Sequence, residues 1–329
     1  RRARRISSIA TCGSQRSFQA HGGCPENAWP LTSSVLAVVT AVVDGRPVAV
    51  TGGSDRTVRV WDLTTGRQIG QHLTGQGDWV WAVATAVVDG RPHAIAGCED
   101  WTVRVWDLTT GDQVGEPLAG HDGGVLAVAT AVVDGHPMAI TGGEDETVRV
   151  WDLTTGKQVG EPLTGHTGDV NAVATAVVDG RPVAVTGSDD GTVRVWDLTA
   201  GRQIGRPLTG HTDLVLAVAT AVVEGRPVAV TGSSDDTVRV WDLTAGRQIG
   251  QPIAAHTDDV NAVATAVVDG RPLAITGGDD GTVRVWDLAT GDQVGPESVF
   301  PLPVYAVAVM PDGRLVVGFG WEVAVLARR

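Results

Sequence analysis

The sequence predicts an all-β protein assembled from seven copies of a four-stranded antiparallel sheet, and three observations predict it. The pair Trp-Asp recurs at Trp61, Trp106, Trp151, Trp196, Trp241 and Trp286, always with a step of 45 residues. Within each step, four short β-prone runs alternate with turn signals. No segment keeps a helical period over ten residues. A fixed period of this length marks a repeat architecture and decides the fold before any finer reading.

Residues 166–210, "HTGDVNAVATAVVDGRPVAVTGSDDGTVRVWDLTAGRQIGRPLTG", show the unit. "VNAVATAVV" reads as the first, inner strand, and "DG" as a tight hairpin turn. "PVAVTG" is the second strand, "SDDG" the next turn and "TVRVWDL" the third strand. "TAG" turns the chain again, and "RQIGRPL" is the outer strand. A single sheet of this size cannot bury both faces. A radial arrangement lets each sheet cover its neighbours, which predicts a seven-bladed β-propeller of four-stranded antiparallel blades. The seventh copy, 304–329, is degenerate: Leu326 takes the Trp position, and the copy ends after its third strand. Its missing fourth strand leaves an open edge unless another segment supplies it.

Six copies of "TVRVWD" at constant spacing resemble the WD40-repeat β-propeller family over nearly all of residues 35–329. The resemblance implies that an N-terminal strand closes the ring. That strand is expected within residues 6–22, with "RSFQAH" (16–21) as candidate, and residues 23–34 are expected to be a loop. The chain is thus read as an N-terminal segment, 1–34, of linker plus closing strand, and a propeller, 35–329. The resemblance also implies a buried hydrogen-bond relay within four blades. Its members are His121, Thr141, Asp145 and Trp151; His166, Thr186, Asp190 and Trp196; His211, Thr231, Asp235 and Trp241; His256, Thr276, Asp280 and Trp286. A His, an Asp and a hydroxyl also suggest a hydrolase. A catalytic set is one exceptional copy, however, whereas this one is repeated. In blade 2, Gln76 and Ala96 replace the His and the Thr.

Composition narrows the functional classes. The net charge is −13, and residues 1–29 hold five Arg and one Glu, so the acidity lies in the propeller. An acidic body argues against nucleic acid or an anionic membrane as partner and favours cationic ones. The spacing of Cys12, Cys24 and Cys98 fits neither a disulfide framework nor a zinc site. A reduced, cytoplasmic setting follows. "SDDGT" and "GDDGT" lack EF-hand ligand spacing, so neither metal nor cofactor is expected. Twenty-four Arg stand against the single Lys157, which points to a GC-rich bacterial source. The start lacks Met and is Arg-rich, as expected of a linker severed from an upstream effector domain.

The copies differ mainly at one end of the blades. "VVDGRP" is almost constant, whereas the residues flanking the Val that opens each inner strand vary, as do those flanking the relay Asp. In the resemblance these positions contact partners. Trp79, Trp81 and Trp101 are expected to gather on blade 2, extended by Leu36, Leu126, Leu214, Leu216 and Tyr305. Arg56 and the acids Glu99, Glu144, Glu146, Asp169, Asp236 and Asp259 surround them. Two readings of the three Trp stand: they capture a partner, or they plug the blade that has lost its relay. The function expected is a non-enzymatic scaffold or sensor that binds a protein or peptide with an apolar anchor and basic flanks. The competing expectation is an enzyme using the central channel. It requires unrepeated polar groups there, and the unpaired histidines, His21, His72, His93 and His136, are scattered along the chain. Strand exchange between copies is a third.

Overall fold

Runs of Val and Ala that alternate with small polar residues pair into seven four-stranded antiparallel sheets. The computed structural model describes residues 28–30, 34–75, 77–310 and 312–326, and every regular element among them is a strand. The inner strands are Val35–Val43, Val80–Val88, Val125–Val133, Val170–Val178, Val215–Val223, Val260–Val268 and Val304–Val309. They pack against one another in ring order, and the first packs on the seventh. The protein is a seven-bladed propeller, with blade numbers following chain order.

The Asp-Gly hairpin behaves as its chemistry dictates. Asp44 and Gly45 have φ of 49° and 75°, the double left-handed pair of a type I′ turn, and the corresponding turns in blades 2–6 match. The outer strand is less regular than its sequence suggests. It runs seven and eight residues in blades 4 and 5 (Arg202–Leu208, Arg247–Ala254). In blades 1, 2, 3 and 6 it shrinks to two. A glycine with positive φ interrupts this run in short and long strands alike, as at Gly70 and Gly205; in blades 4 and 5 the ladder resumes beyond it after a slip in register.

Blade 7 takes its fourth strand from Ala28–Pro30, which pairs antiparallel with Glu322–Leu326. This corrects the reading of 23–34 as loop; the candidate strand within 6–22 lies outside the described residues. A three-residue strand ending in Pro30, which has no N–H to donate, gives almost no alternation to read. Leu326 pairs with Leu315 where Trp61 pairs with Ala49, and Val317 stands at the register of Thr51. The indole and its hydroxyl acceptor have thus been lost together.

One contact joins every blade to the next, and a second recurs at five of the seven junctions. The Val that opens every inner strand is fully buried, as Val35, Val80 and Val170 show. It presses on a glycine of the preceding blade: a Cβ on Gly52 would lie 2.5 Å from Cγ1 of Val80, and one on Gly318 would meet Val35. Further along, the Thr130 hydroxyl donates to the Thr85 carbonyl of the preceding blade at 2.9 Å. Thr175, Thr220 and Thr265 repeat this bond on Thr130, Thr175 and Thr220. Thr40 makes the same bond across the seam between the first and seventh blades, to Val309 at 3.0 Å.

Inside blades 3–6 a polar chain crosses an otherwise apolar core. In blade 4 the Trp196 indole N–H donates to the Thr186 hydroxyl oxygen at 2.9 Å. The hydroxyl lies 2.7 Å from Nε2 of His166, whose Nδ1 lies 2.8 Å from Asp190. An indole can only donate, so the hydroxyl proton goes to Nε2 and the Nδ1 proton to the carboxylate. The same geometry joins the sets of blades 3, 5 and 6. Burial depresses the pKa of His166, His211 and His256, partly offset by their Asp partners. The partner carboxylates lie below their ordinary range despite burial, because His and Thr groups donate to them.

Two outcomes follow. Thr186→Val keeps the shape but strands the Trp196 N–H and the His166 Nε2. A loss of about 2–3 kcal/mol is expected in denaturant unfolding, against no change for Thr154→Val at an exposed turn. His166, His211 and His256 titrate lower in the folded than in the unfolded chain, so their contribution to stability is complete above the ordinary His pKa near 6.5 and falls as pH drops below it. The depressed carboxylates add a second loss below about pH 4. Unfolding midpoints measured from pH 8 to 3 at constant ionic strength check both windows.

Candidate functional site

Each inner strand carries a β-bulge at its first turn of pleat. Val35 pairs with Gly53 and Ala37 with Gly52, which leaves Leu36 without a partner, and all seven blades repeat the slip. The bulged residues are Leu36, Trp81, Leu126, Asn171, Leu216, Asn261 and Tyr305. A bulge re-aims its extra side chain, and here all seven line a central channel of about 240 Å³. The channel mouth is therefore one ring of seven positions that the sheet ladders leave free to vary.

At three of the positions a donor meets an acid 18 places later, beside the Asp of the same turn. Asn171 donates to Asp189 at 2.6 Å, Asn261 to Asp279, and the Trp81 indole to Glu99. Leu36 and Leu216 stand over Ser54 and Ser234. Leu126 stands with Glu144, whose carboxylate accepts the Gly124 N–H instead. Asn171 and Asn261 are site residues that sequence reasoning missed. The signal lies in the copies, where Trp81, Asn171 and Asn261 each have an acid 18 places later.

On blade 2, Trp79 and Trp81 meet edge to face with ring centroids 5.3 Å apart. The Glu99 N–H donates to the Trp79 carbonyl, and the Gly77 N–H to Asp100. These bonds set the 77–81 segment beside the 98–101 turn, so all three Trp lie at the same end of one blade. Trp79 and Trp81 are half-buried, and Trp101 is 51% exposed. Trp101 has a φ of 69°, and its counterparts Arg56, Glu146 and Asp236 share that left-handed backbone with Gly191 and Gly281. Glycine is the unstrained solution at this turn, and a bulky side chain costs about 1–2 kcal/mol. Four blades accept the strain and keep a side chain on the rim.

The rim is strongly negative. Burial raises the pKa of Glu99, with Glu144 and Asp78 pushing the same way against the Trp81 N–H. Burial also raises that of Asp259, joined by Asp279, Asp258 and Asp236 against a hydrogen bond from Ser234. Carboxylate oxygens of Asp236, Asp258 and Asp259 lie within 4.8 Å of one another. Glu144 and Glu146 are exposed and Asp169 is half-buried. Leu214 is half-buried outside the channel lining. Arg56 sits 3.7 Å from Asp78 and donates to the Gly77 carbonyl, so it ties blade 1 to blade 2. Cys98, beneath this end, is buried and its thiol is pushed up to about 12, which keeps it protonated and unreactive.

A plug and a binding anchor respond oppositely to one substitution. Trp101→Gly relieves the left-handed strain and removes little buried area. Thermal unfolding is expected to be unchanged or raised by the equivalent of about 1 kcal/mol. A fall of several degrees would mark Trp101 as packing material.

The family model described as "WD domain, G-beta repeat" matches residues 13–62, 67–107, 111–152, 156–197, 202–242 and 247–287. The last match ends at Asp287, ahead of the strands of blade 7. Comparison with curated proteins finds no match. Six matched repeats, a 45-residue step and seven four-stranded sheets round one channel agree: the chain belongs to the WD40 repeat family.

Proposed function

We propose that this propeller is a non-enzymatic interaction module whose channel-mouth face captures a protein or peptide segment with an apolar anchor and basic flanks. The observation that carries the proposal is the Trp79–Trp81 pair beside the Glu99 carboxylate, with Trp101 held out on a strained turn. Aromatic side chains offer roughly 150–250 Å² each for burial, and Trp is enriched where binding energy concentrates. Half-buried carboxylates crowded by their own kind gain most from a cation. Burial first, and then neighbouring acids, raise the pKa values of Glu99 and Asp259. The partner thus lays an aliphatic or aromatic side chain against blade 2, and its Lys or Arg residues across the acidic loops of blades 3–6. A cytoplasmic setting and an effector domain upstream of the propeller fit such a recognition unit.

The experiment is a fluorescence-anisotropy screen of synthetic peptides that vary anchor and basic content. Trp81→Ala is expected to weaken the best ligand at least about tenfold while the unfolding midpoint stays within a few degrees. Affinity is expected to fall with added salt, since exposed charges are screened beyond about 10 Å at 0.1 M. Equal affinity for acidic and basic peptides, or for Trp81→Ala and the unaltered protein, would refute the proposal.

A further inference from the structure

At the other end of the inner strands, the near-constant hairpins form a second surface. Val42, Val87, Val132, Val177, Val222 and Val267 are 52–70% exposed. Each stands one residue before the end of its strand, opposite a Pro such as Pro47 or Pro92. The fold does not require them there. Blade 7 reaches its Asp-Gly turn one residue sooner, with Met310 at the register of Ala41, so its hairpin carries no such valine, and it still completes the ring. Six valines so exposed supply on the order of 300–600 Å² of apolar surface, the size at which a patch on a soluble protein marks a contact.

The charges beside the valines identify the occupant. Each hairpin tip holds an acid and a base two positions apart, as in Asp89 and Arg91 or Glu224 and Arg226; blade 3 has His136 as its base. The Asp of each Trp-Asp pair lies close by but is already engaged. Asp62 accepts the amides of Thr64 and Thr65, while Asp107 and Asp287 also take Arg91 and Arg271. The tips therefore present alternating signs, which are complementary to a rotated copy of themselves. The channel-mouth face, with its crowded carboxylates, repels its own copy. In a chain of net charge −13, self-repulsion is least at the hairpin face.

We propose that the hairpin face is the contact between two copies of this chain, stacked about a twofold axis. The valines meet at the centre, and the acid of one tip meets the arginine of the other. A twofold contact uses the same patch on both partners, which a ring of near-identical hairpins provides. Together the valines and polar tips approach the ~800 Å² per partner of a specific interface. Both channel mouths then face outwards, so the contact is independent of the peptide-binding proposal.

Sedimentation equilibrium of the full chain over about 1–100 μM tests it. Twice the chain mass is expected, with the triple variant V87D/V177D/V267D dimerising at least about tenfold more weakly. V87T/V177T/V267T removes apolar surface at nearly constant shape and is read if the acidic variant fails to fold. Trp81→Ala should leave the mass unchanged. A single-copy mass throughout, a dimer that persists in both valine variants, or a dimer lost in Trp81→Ala would each overturn the proposal.

Discussion

A buried indole N–H must find an acceptor, and much of this protein's architecture answers that demand. In blades 3–6 the acceptor is a Thr hydroxyl, which is in turn held by an imidazole and a carboxylate; in blade 1 Thr51 accepts from Trp61 in the same way. The carboxylate end of that chain does a second job. Asp190 accepts the Thr167 N–H from the loop before the inner strand and the Thr192 N–H and hydroxyl from the turn after it. The interior thus fixes the two loops that carry the rim residues. Variable side chains sit on anchors set by an invariant core, so they can change without moving the backbone that presents them.

Blades 2 and 7 show what happens when the demand is altered. Blade 7 gives up the indole, and Val317 and Leu326 leave nothing polar to satisfy. Blade 2 keeps Trp106 but has Ala96 in place of the hydroxyl, and it is here that the extra Trp accumulate. The Asp100 carboxylate still accepts the Gly77 and Thr102 N–H groups and pairs with Arg104 at 3.1 Å. The loops stay pinned although the relay is shortened. A firmly held rim is what the proposed capture of a partner requires of this blade.

The repeat period made the ring legible, because four strands and three turns in 45 residues leave few architectures. The Asp-Gly turns, the relay members and the variable end were legible too, each through a residue type with few alternatives. Three features were not. The bulge is hidden because "VNAVATAVV" alternates equally well in either register, and only the pairing of Val170 and Ala172 with Ser188 and Gly187 exposes the slip. The role of Arg56 depends on Asp78 in the next blade, which no pattern within one repeat reveals. The closing strand is too short, at three residues, to carry a period.

The glycine sockets have a consequence for how such a chain can change. Every one takes the opening Val of the following blade, and the seam between Gly318 and Val35 repeats the others. The threonine bonds, at five of the seven junctions, all run in the same sense as well, so one junction is chemically much like the next. The polypeptide ends could then open at almost any seam, and whole modules could be duplicated or exchanged within the gene without inventing a new joint. Near-identical neighbours are the trace such a history leaves, with diversity confined to the margin where it does not disturb assembly.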